Sequence, residues 1–196
     1  MMHKRILLIQ GHPDANAGHL CHSLETAYAS AATEAGHEVH RIEVARLDFP
    51  LLRSQNDWEN GEVPPALARS QDEIVWANHL VLFFPLWLGD MPALLKGFLE
   101  QVARPGFAFA KGKRNPLTKK ALSGRSARVV VTMGMPALVY RWFFRAHSVK
   151  SLERNILGFV GIAPVDETLI GRVGDMRPPA TEKWLAKMET LGAQGA

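Results

Sequence analysis

Three short segments of this chain carry groups of the kind that can bind and orient a polar ligand. They are Gly11-His12-Pro13-Asp14-Ala15-Asn16-Ala17-Gly18-His19, Pro85-Leu86-Trp87-Leu88-Gly89 and Thr132-Met133-Gly134-Met135-Pro136. In the first, His12, Asn16 and His19 are hydrogen-bond donors and Gly18 allows close backbone approach. A helix beginning after that segment would add unpaired N–H groups and the positive end of its dipole, which together favour an anion such as phosphate. The segment is neither a Walker loop nor a Gly-X-Gly-X-X-Gly fingerprint. The second sets the flat indole of Trp87 and several backbone amides between two prolines, which suits a planar ligand with polar edges. In the third, Thr132 and Gly134 can meet the polar rim of such a ligand. Tyr140 and His147 follow, and both donate hydrogen bonds; histidine also carries a proton near neutral pH. Each group has a plainer use: helix capping for the histidines, core packing for Trp87, packing or surface placement for Tyr140 and His147. His12, His19 and His22 have no Cys or Glu at metal-ligand spacing, and no Gly-X-Ser-X-Gly elbow marks a hydrolase.

The elements that must position these segments follow from hydrophobic periodicity. Arg5 to Gln10 and His79 to Phe84 are continuous apolar runs, the pattern of strands buried on both faces. Ala127 to Met133 and Val165 to Ile170 read as further strands, and the alternating His37 to Val44 as a strand nearer an edge. Helices are predicted over His19 to Ala35 (stopped by Gly36), Pro65 to Ala77, Pro92 to Val102, Pro136 to Leu157 in one or two pieces, and Thr181 to Leu191. Ala45 to Pro65 is longer than an ordinary connection, which points to a functional or covering loop. Arg104 to Arg125 is a second excursion, with a short extended piece at Gly106-Phe107-Ala108-Phe109. This alternation predicts an α/β fold of three layers: a doubly wound, five-stranded parallel sheet in the flavodoxin-like order 2-1-3-4-5, as a single domain over residues 1–196. In that order the first, third and fourth strands end side by side, so the three segments converge at one edge.

Length and charge bound the function classes. A chain of 196 residues buries a sizeable core without disulfides, and Cys21 stands alone, which fits a reducing compartment. The four apolar residues Ile6 to Ile9 are too few for a signal peptide or a membrane span. The expectation is a cytoplasmic protein. A net charge of +4 is compatible with a phosphate-bearing ligand or an anionic membrane surface. No nucleic-acid role is expected, because the densest basic stretch, Lys111 to Arg128, is broken by glycine and proline and is not interleaved with aromatics.

The chain resembles the NAD(P)H:quinone oxidoreductase family of flavodoxin-like flavoproteins over roughly residues 4–171. The resemblance rests on Gly11-His12-Pro13, on Pro85-Leu86 with Pro92-Ala93-Leu94-Leu95-Lys96-Gly97-Phe98 and Glu100-Gln101-Val102, on Gly106-Phe107-Ala108-Phe109, and on Thr132-Met133-Gly134. It implies a homodimer that binds FAD, or alternatively FMN, and passes two electrons from NAD(P)H to a quinone. It also implies that His12, Asn16, Ala17, Gly18 and His19 hold the flavin phosphate. Pro85, Leu86, Trp87, Leu88 and Gly89 would line the ring, and Thr132, Met133, Gly134 and Met135 its far edge. Tyr140 and His147 would be catalytic, with His147 one residue beyond the family's usual spacing. Ala17 and His19 replace a hydroxyl residue and an asparagine in the phosphate segment, which shifts the expected contacts to backbone amides and His19. Azo, nitro or flavin reduction and a regulatory subunit docked on a membrane transport protein are the competing readings. The aromatic segment Tyr140 to Arg145 reads as lid, dimer face, peripheral membrane contact or core.

Overall fold

The computed structural model describes residues 3–108 and 120–196. Phe109 and the part of the basic stretch from Lys111 to Lys119 lie outside the described residues. Five strands form one parallel sheet: β1 (Arg5–Gln10), β2 (Glu38–Glu43), β3 (His79–Pro85), β4 (Ser126–Thr132) and β5 (Val165–Ile170). Their order is β2-β1-β3-β4-β5, as the sequence pattern predicts. Ile6 pairs with Val39 on one side and His79 on the other, and Leu80 pairs with Ala127.

Side chains alternate across the sheet with the period of two that a strand imposes. Ile6, Leu8, Val81, Phe83 and Val130 pack on one face against Cys21, Leu24 and Tyr28 of α1 (Leu20–Glu34), and Met188 of the last helix closes this layer. Leu7, Ile9, Leu82, Phe84, Val129 and Val131 pack on the other face. Their partners include Leu67 and Ile74 beyond α2 (Gln55–Asn60), in α3 (Pro65–Trp76), and Leu95 and Phe98 in α4 (Ala93–Val102). After β4 come α5 (Ala137–Trp142) and α6 (His147–Ser151). The latter continues through a π-helical stretch, Leu152–Leu157, into a last turn, α7 (Gly158–Val160). The final helix is α8 (Pro178–Gln194). It begins three residues before the predicted Thr181, because Pro178 and Pro179 suit a first turn whose N–H groups have no partner in any case.

Ala45 to Pro65 is a cover over α4. The buried Arg104 donates to the carbonyls of Asp57 and Gly61, both at 2.8 Å, and Gln101 donates to the carbonyl of Pro50. Gly97 in α4 leaves room for Leu51, which a Cβ there would strike. The described part of Gly106-Phe107-Ala108-Phe109 turns rather than extends: the N–H groups of Phe107 and Ala108 both donate to the carbonyl of Arg104.

The sheet ladder continues one residue past three of the strands. Gly11 N–H donates to Phe83 O at 2.7 Å, Leu86 N–H to Thr132 O at 2.7 Å, and Met133 N–H to Ile170 O at 2.8 Å. These bonds fix the entry points of the three segments singled out in the sequence along one edge.

Candidate functional site

The β1–α1 segment is organised by Asp14. Its N–H donates to His12 Nδ1 at 3.1 Å, its backbone oxygen lies 2.9 Å from His22 Nε2, and its carboxylate oxygen Oδ2 lies 2.8 Å from His19 Nε2. The other carboxylate oxygen accepts the Asn16 N–H at 2.9 Å, and Asn16 Oδ1 accepts the Gly18 N–H at 3.1 Å. These are two successive side-chain turns of the kind Asp and Asn form with the backbone two residues on. The amides of Asn16 and Gly18 are therefore already engaged within the segment. The imidazoles carry the donor capacity instead, together with the first turn of α1, which has no side-chain cap. A Cβ on Gly18 would meet Asn16 Oδ1 at an ordinary 3.5 Å, so that glycine answers to the open side of the loop rather than to packing.

The rings of His12 and His19 stack with centroids 4.1 Å apart, and His22 lies 5.3 Å from His12. Burial, with His19 as neighbour, holds the His12 pKa below the usual imidazole range. The hydrogen bond from His19 holds the Asp14 carboxyl below the usual carboxylate range. Beneath them Gln10, at the end of β1, accepts the His12 N–H at 3.1 Å and the Cys21 thiol at 3.3 Å, and donates to the Cys21 carbonyl. Burial pushes the Cys21 thiol far up, so it stays a packed neutral group. Among the described residues no His, Cys, Asp and Glu side chains are arranged to hold a metal ion.

The β3–α4 segment is a tight hairpin. Trp87 and Asp90 exchange both backbone hydrogen bonds, at 2.9 and 3.0 Å, around Leu88 (φ 49°) and Gly89 (φ 82°). Two residues at positive φ make this the turn type that glycine and asparagine usually fill. Leu88 holds a left-handed backbone and projects fully into solvent. Pro85 is buried at the end of β3, Leu86 is half-buried, and Trp87 is 51% exposed with its ring 6.1 Å from His12, edge to face. The first two segments therefore meet through an imidazole and an indole.

The β4–α5 segment lies on the other side of β3. Thr132 and Met133 are buried, Gly134 is exposed and Met135 half-buried. It is braced from β5: Arg172 N–H donates to Met135 O at 3.1 Å and Val173 N–H to Met133 O at 3.2 Å. Gly171 permits this, because a Cβ there would sit 2.6 Å from Met135 O and collide with the Ala137 nitrogen.

Tyr140 belongs to the core rather than to the open edge. It is 2% exposed and its hydroxyl accepts the Val149 N–H at 3.3 Å. His147 is exposed at the start of α6, after Arg145 and Ala146, which both take left-handed backbone angles. Trp142 and Phe143 are 76% and 77% exposed, so beyond the buried Tyr140 the aromatic segment is a surface patch. Arg141 pairs with Glu167 at 2.6 Å beside it. A cavity of about 170 Å³ lined by Trp58, Lys96, Leu99, Glu100 and Phe159 lies away from these segments. It falls below the roughly 300 Å³ at which small-molecule sites begin.

Sequence reasoning did not single out Asp14, His22 or Gly171 for this edge. Asp14 was legible as a side-chain turn former two residues before Asn16, and His22 as the residue one helical turn beyond His19. Gly171 gave no local signal, since its requirement comes from a chain segment more than thirty residues away in sequence.

The chain matches the family model for the flavodoxin-like fold over residues 4–191. It is 27% identical over 180 residues to an uncharacterized NAD(P)H oxidoreductase, YcaK, of Escherichia coli strain K12, covering 87% of this chain and 85% of the relative. It is 30% identical over 199 residues to an FMN-dependent NADH:quinone oxidoreductase of Mesorhizobium japonicum, covering 93% and 90%. The solved structure of an NAD(P)H:quinone oxidoreductase from Methanothermobacter marburgensis has the same fold, with a TM-score of 0.81 at 22% identity over 98% of this chain and 97% of that one. With its parallel sheet in the order 2-1-3-4-5 and a match spanning nearly all of its length, this chain belongs to the flavodoxin-like fold family.

Proposed function

We propose that this protein is a flavin-dependent NAD(P)H oxidoreductase that delivers two electrons to a quinone or similar acceptor. FMN is the flavin favoured. The observation that carries the reading is the meeting of the imidazole-lined β1–α1 segment with the half-exposed Trp87 at one sheet edge, in a chain whose relatives include FMN-dependent NADH:quinone oxidoreductases. Those relatives reverse the order of preference read from the sequence, which put FAD ahead of FMN. Bound flavin would supply the hydride and two-electron chemistry, and the chain supplies binding, orientation and charge.

The donor set fits the ligand. His12 Nδ1 faces the Asp14 N–H and the Asp14 carbonyl oxygen, each at 3.1 Å, and in the tautomer in which it accepts the N–H, Nε2–H is a neutral donor. It joins His19 and the uncapped first turn of α1 in facing the phosphate, while Asn16, Ala17 and Gly18 shape the loop. Pro85, Leu86, Trp87, Leu88 and Gly89 lie along the ring, and Thr132, Met133, Gly134 and Met135 along its far edge. His147 is the candidate proton donor. Tyr140 serves it indirectly, by fixing Val149 in the helix that His147 begins. Exposed Leu138, Trp142 and Phe143 support a second copy packing over this edge as a homodimer.

Purified protein reconstituted with FMN should turn yellow, quench flavin fluorescence and oxidise NADH or NADPH with a soluble benzoquinone. Trp87→Ala should weaken flavin binding about tenfold, the scale of one stacked aromatic. A colourless protein that takes up neither FMN nor FAD would overturn the reading.

A further inference from the structure

We infer that Asp14 makes recognition of the phosphate group depend on a proton carried by His19, so that the site takes up one proton when it binds a phosphorylated flavin and none when it binds riboflavin. This rests on the flavin reading above. The geometry is the Asp14–His19–His12 arrangement: Oδ2 of Asp14 lies 2.8 Å from His19 Nε2, and the His19 ring is held against His12 by stacking at 4.1 Å. A carboxylate only accepts, so His19 Nε2 must be the donor in this pair. A neutral imidazole has one N–H. With that N–H turned to Asp14, the other nitrogen of neutral His19 bears a lone pair, which repels an anion. Only the imidazolium donates from both nitrogens, one to Asp14 and one to a phosphate oxygen. The Nδ1 of His12 faces both the N–H and the carbonyl oxygen of Asp14, each at 3.1 Å, and in the tautomer in which it accepts that N–H, Nε2–H is a donor without any added proton. In that tautomer of His12, Asp14 sets different protonation requirements for the two stacked rings.

Among the described residues, the titratable groups in contact with His19 come from its own loop and from α1. Asp14 and His12 come from the same loop, and His22 from α1 lies 6.1 Å away. Beyond His22 stands the buried Glu25 of α1, which Arg41 of β2 pairs with at 3.2 Å. The β3–α4 segment contributes the uncharged Trp87 ring, through its contact with His12. Asp14 is accordingly a positioning residue, and Asp14→Asn is the informative variant. The asparagine oxygen can still accept the Asn16 N–H, and its amide then donates to His19 Nε2. Neutral His19 is thereby turned so that its other nitrogen carries the N–H.

The test is calorimetric titration of the apoprotein with FMN and with riboflavin, in buffers of different ionisation heats. The window is about pH 6.5 to 8.5, where a phosphate monoester is mostly dianionic. Wild type should take up protons with FMN, at most one per site, and its FMN-to-riboflavin affinity ratio should fall by up to tenfold per pH unit as the pH rises. Riboflavin binding should be flat. In Asp14→Asn the FMN ratio should lose its pH dependence, and in His19→Asn likewise. A flat ratio in wild type, or full proton uptake retained in either variant, would overturn the inference. Failure of both flavins to bind at any pH would instead overturn the flavin reading.

Discussion

At the amino-terminal edge of the sheet, His79 is buried against Ser126 Oγ at 2.7 Å, and burial pushes its pKa down to about 3. His37, on the same edge, accepts the Lys4 N–H at 3.2 Å. At the carboxyl-terminal edge, His12, His19 and His22 gather around one aspartate beside the half-exposed Trp87 and the strained Leu88. The same residue type thus closes the structure at one end and lines an exposed loop cluster at the other. Parallel strands explain the division. Every β-to-α connection leaves from the carboxyl end, so that edge collects loops whose backbone groups face outward. The amino end receives returning chain and is sealed by packing.

Three predictions press on this contrast, beginning with the largest effect. His79 is neutral in the folded state and titrates near 6.5 when unfolded. Between about pH 6.5 and 3 the unfolded chain therefore binds more protons, and stability falls as pH falls through that window, by on the order of 4 kcal/mol. Urea unfolding of His79→Gln should show a visibly shallower acid slope than wild type; equal slopes would remove His79 from the acid response. Gly171→Ala, at the opposite edge, should cost about 3 kcal/mol because the collision is with backbone that cannot swing away. It should also impair flavin binding through the β4–α5 segment, measured by fluorescence quenching. Normal affinity in a folded variant would show that this brace does not shape the site. Leu88→Gly relieves a left-handed leucine and should stabilise the fold by about 0.5–1 kcal/mol. A loss of stability would mean that the exposed leucine already packs against something in solution, the expected signature of a second copy.

The five strands were legible because each is a buried apolar run or an alternating one. The helix boundaries near Gly36 and Pro65 were legible because glycine and proline constrain the backbone locally. The cover from Ala45 to Pro65 was visible as excess length, but its anchor was not: Arg104 and Gln101 are polar residues that any reading from composition would leave in solvent. Tyr140 shows the same limit in reverse. The resemblance offers Tyr140 and His147 as catalytic groups on a segment read as one helix or two; a break at Arg145 and Ala146 separates them, and the tyrosine hydroxyl accepts the Val149 N–H.

By itself, the sequence determined the strand and helix order, the parallel sheet and the three segments that end at one edge, since these follow from local periodicity and from the few topologies that right-handed crossovers allow. Tertiary structure alone decided what those segments present. It set Trp87 of one segment against His12 of another, and it braced Met133 and Met135 from the chain beyond β5. These contacts depend on atoms brought together from the ends of separate strands, and no spacing along the chain encodes them.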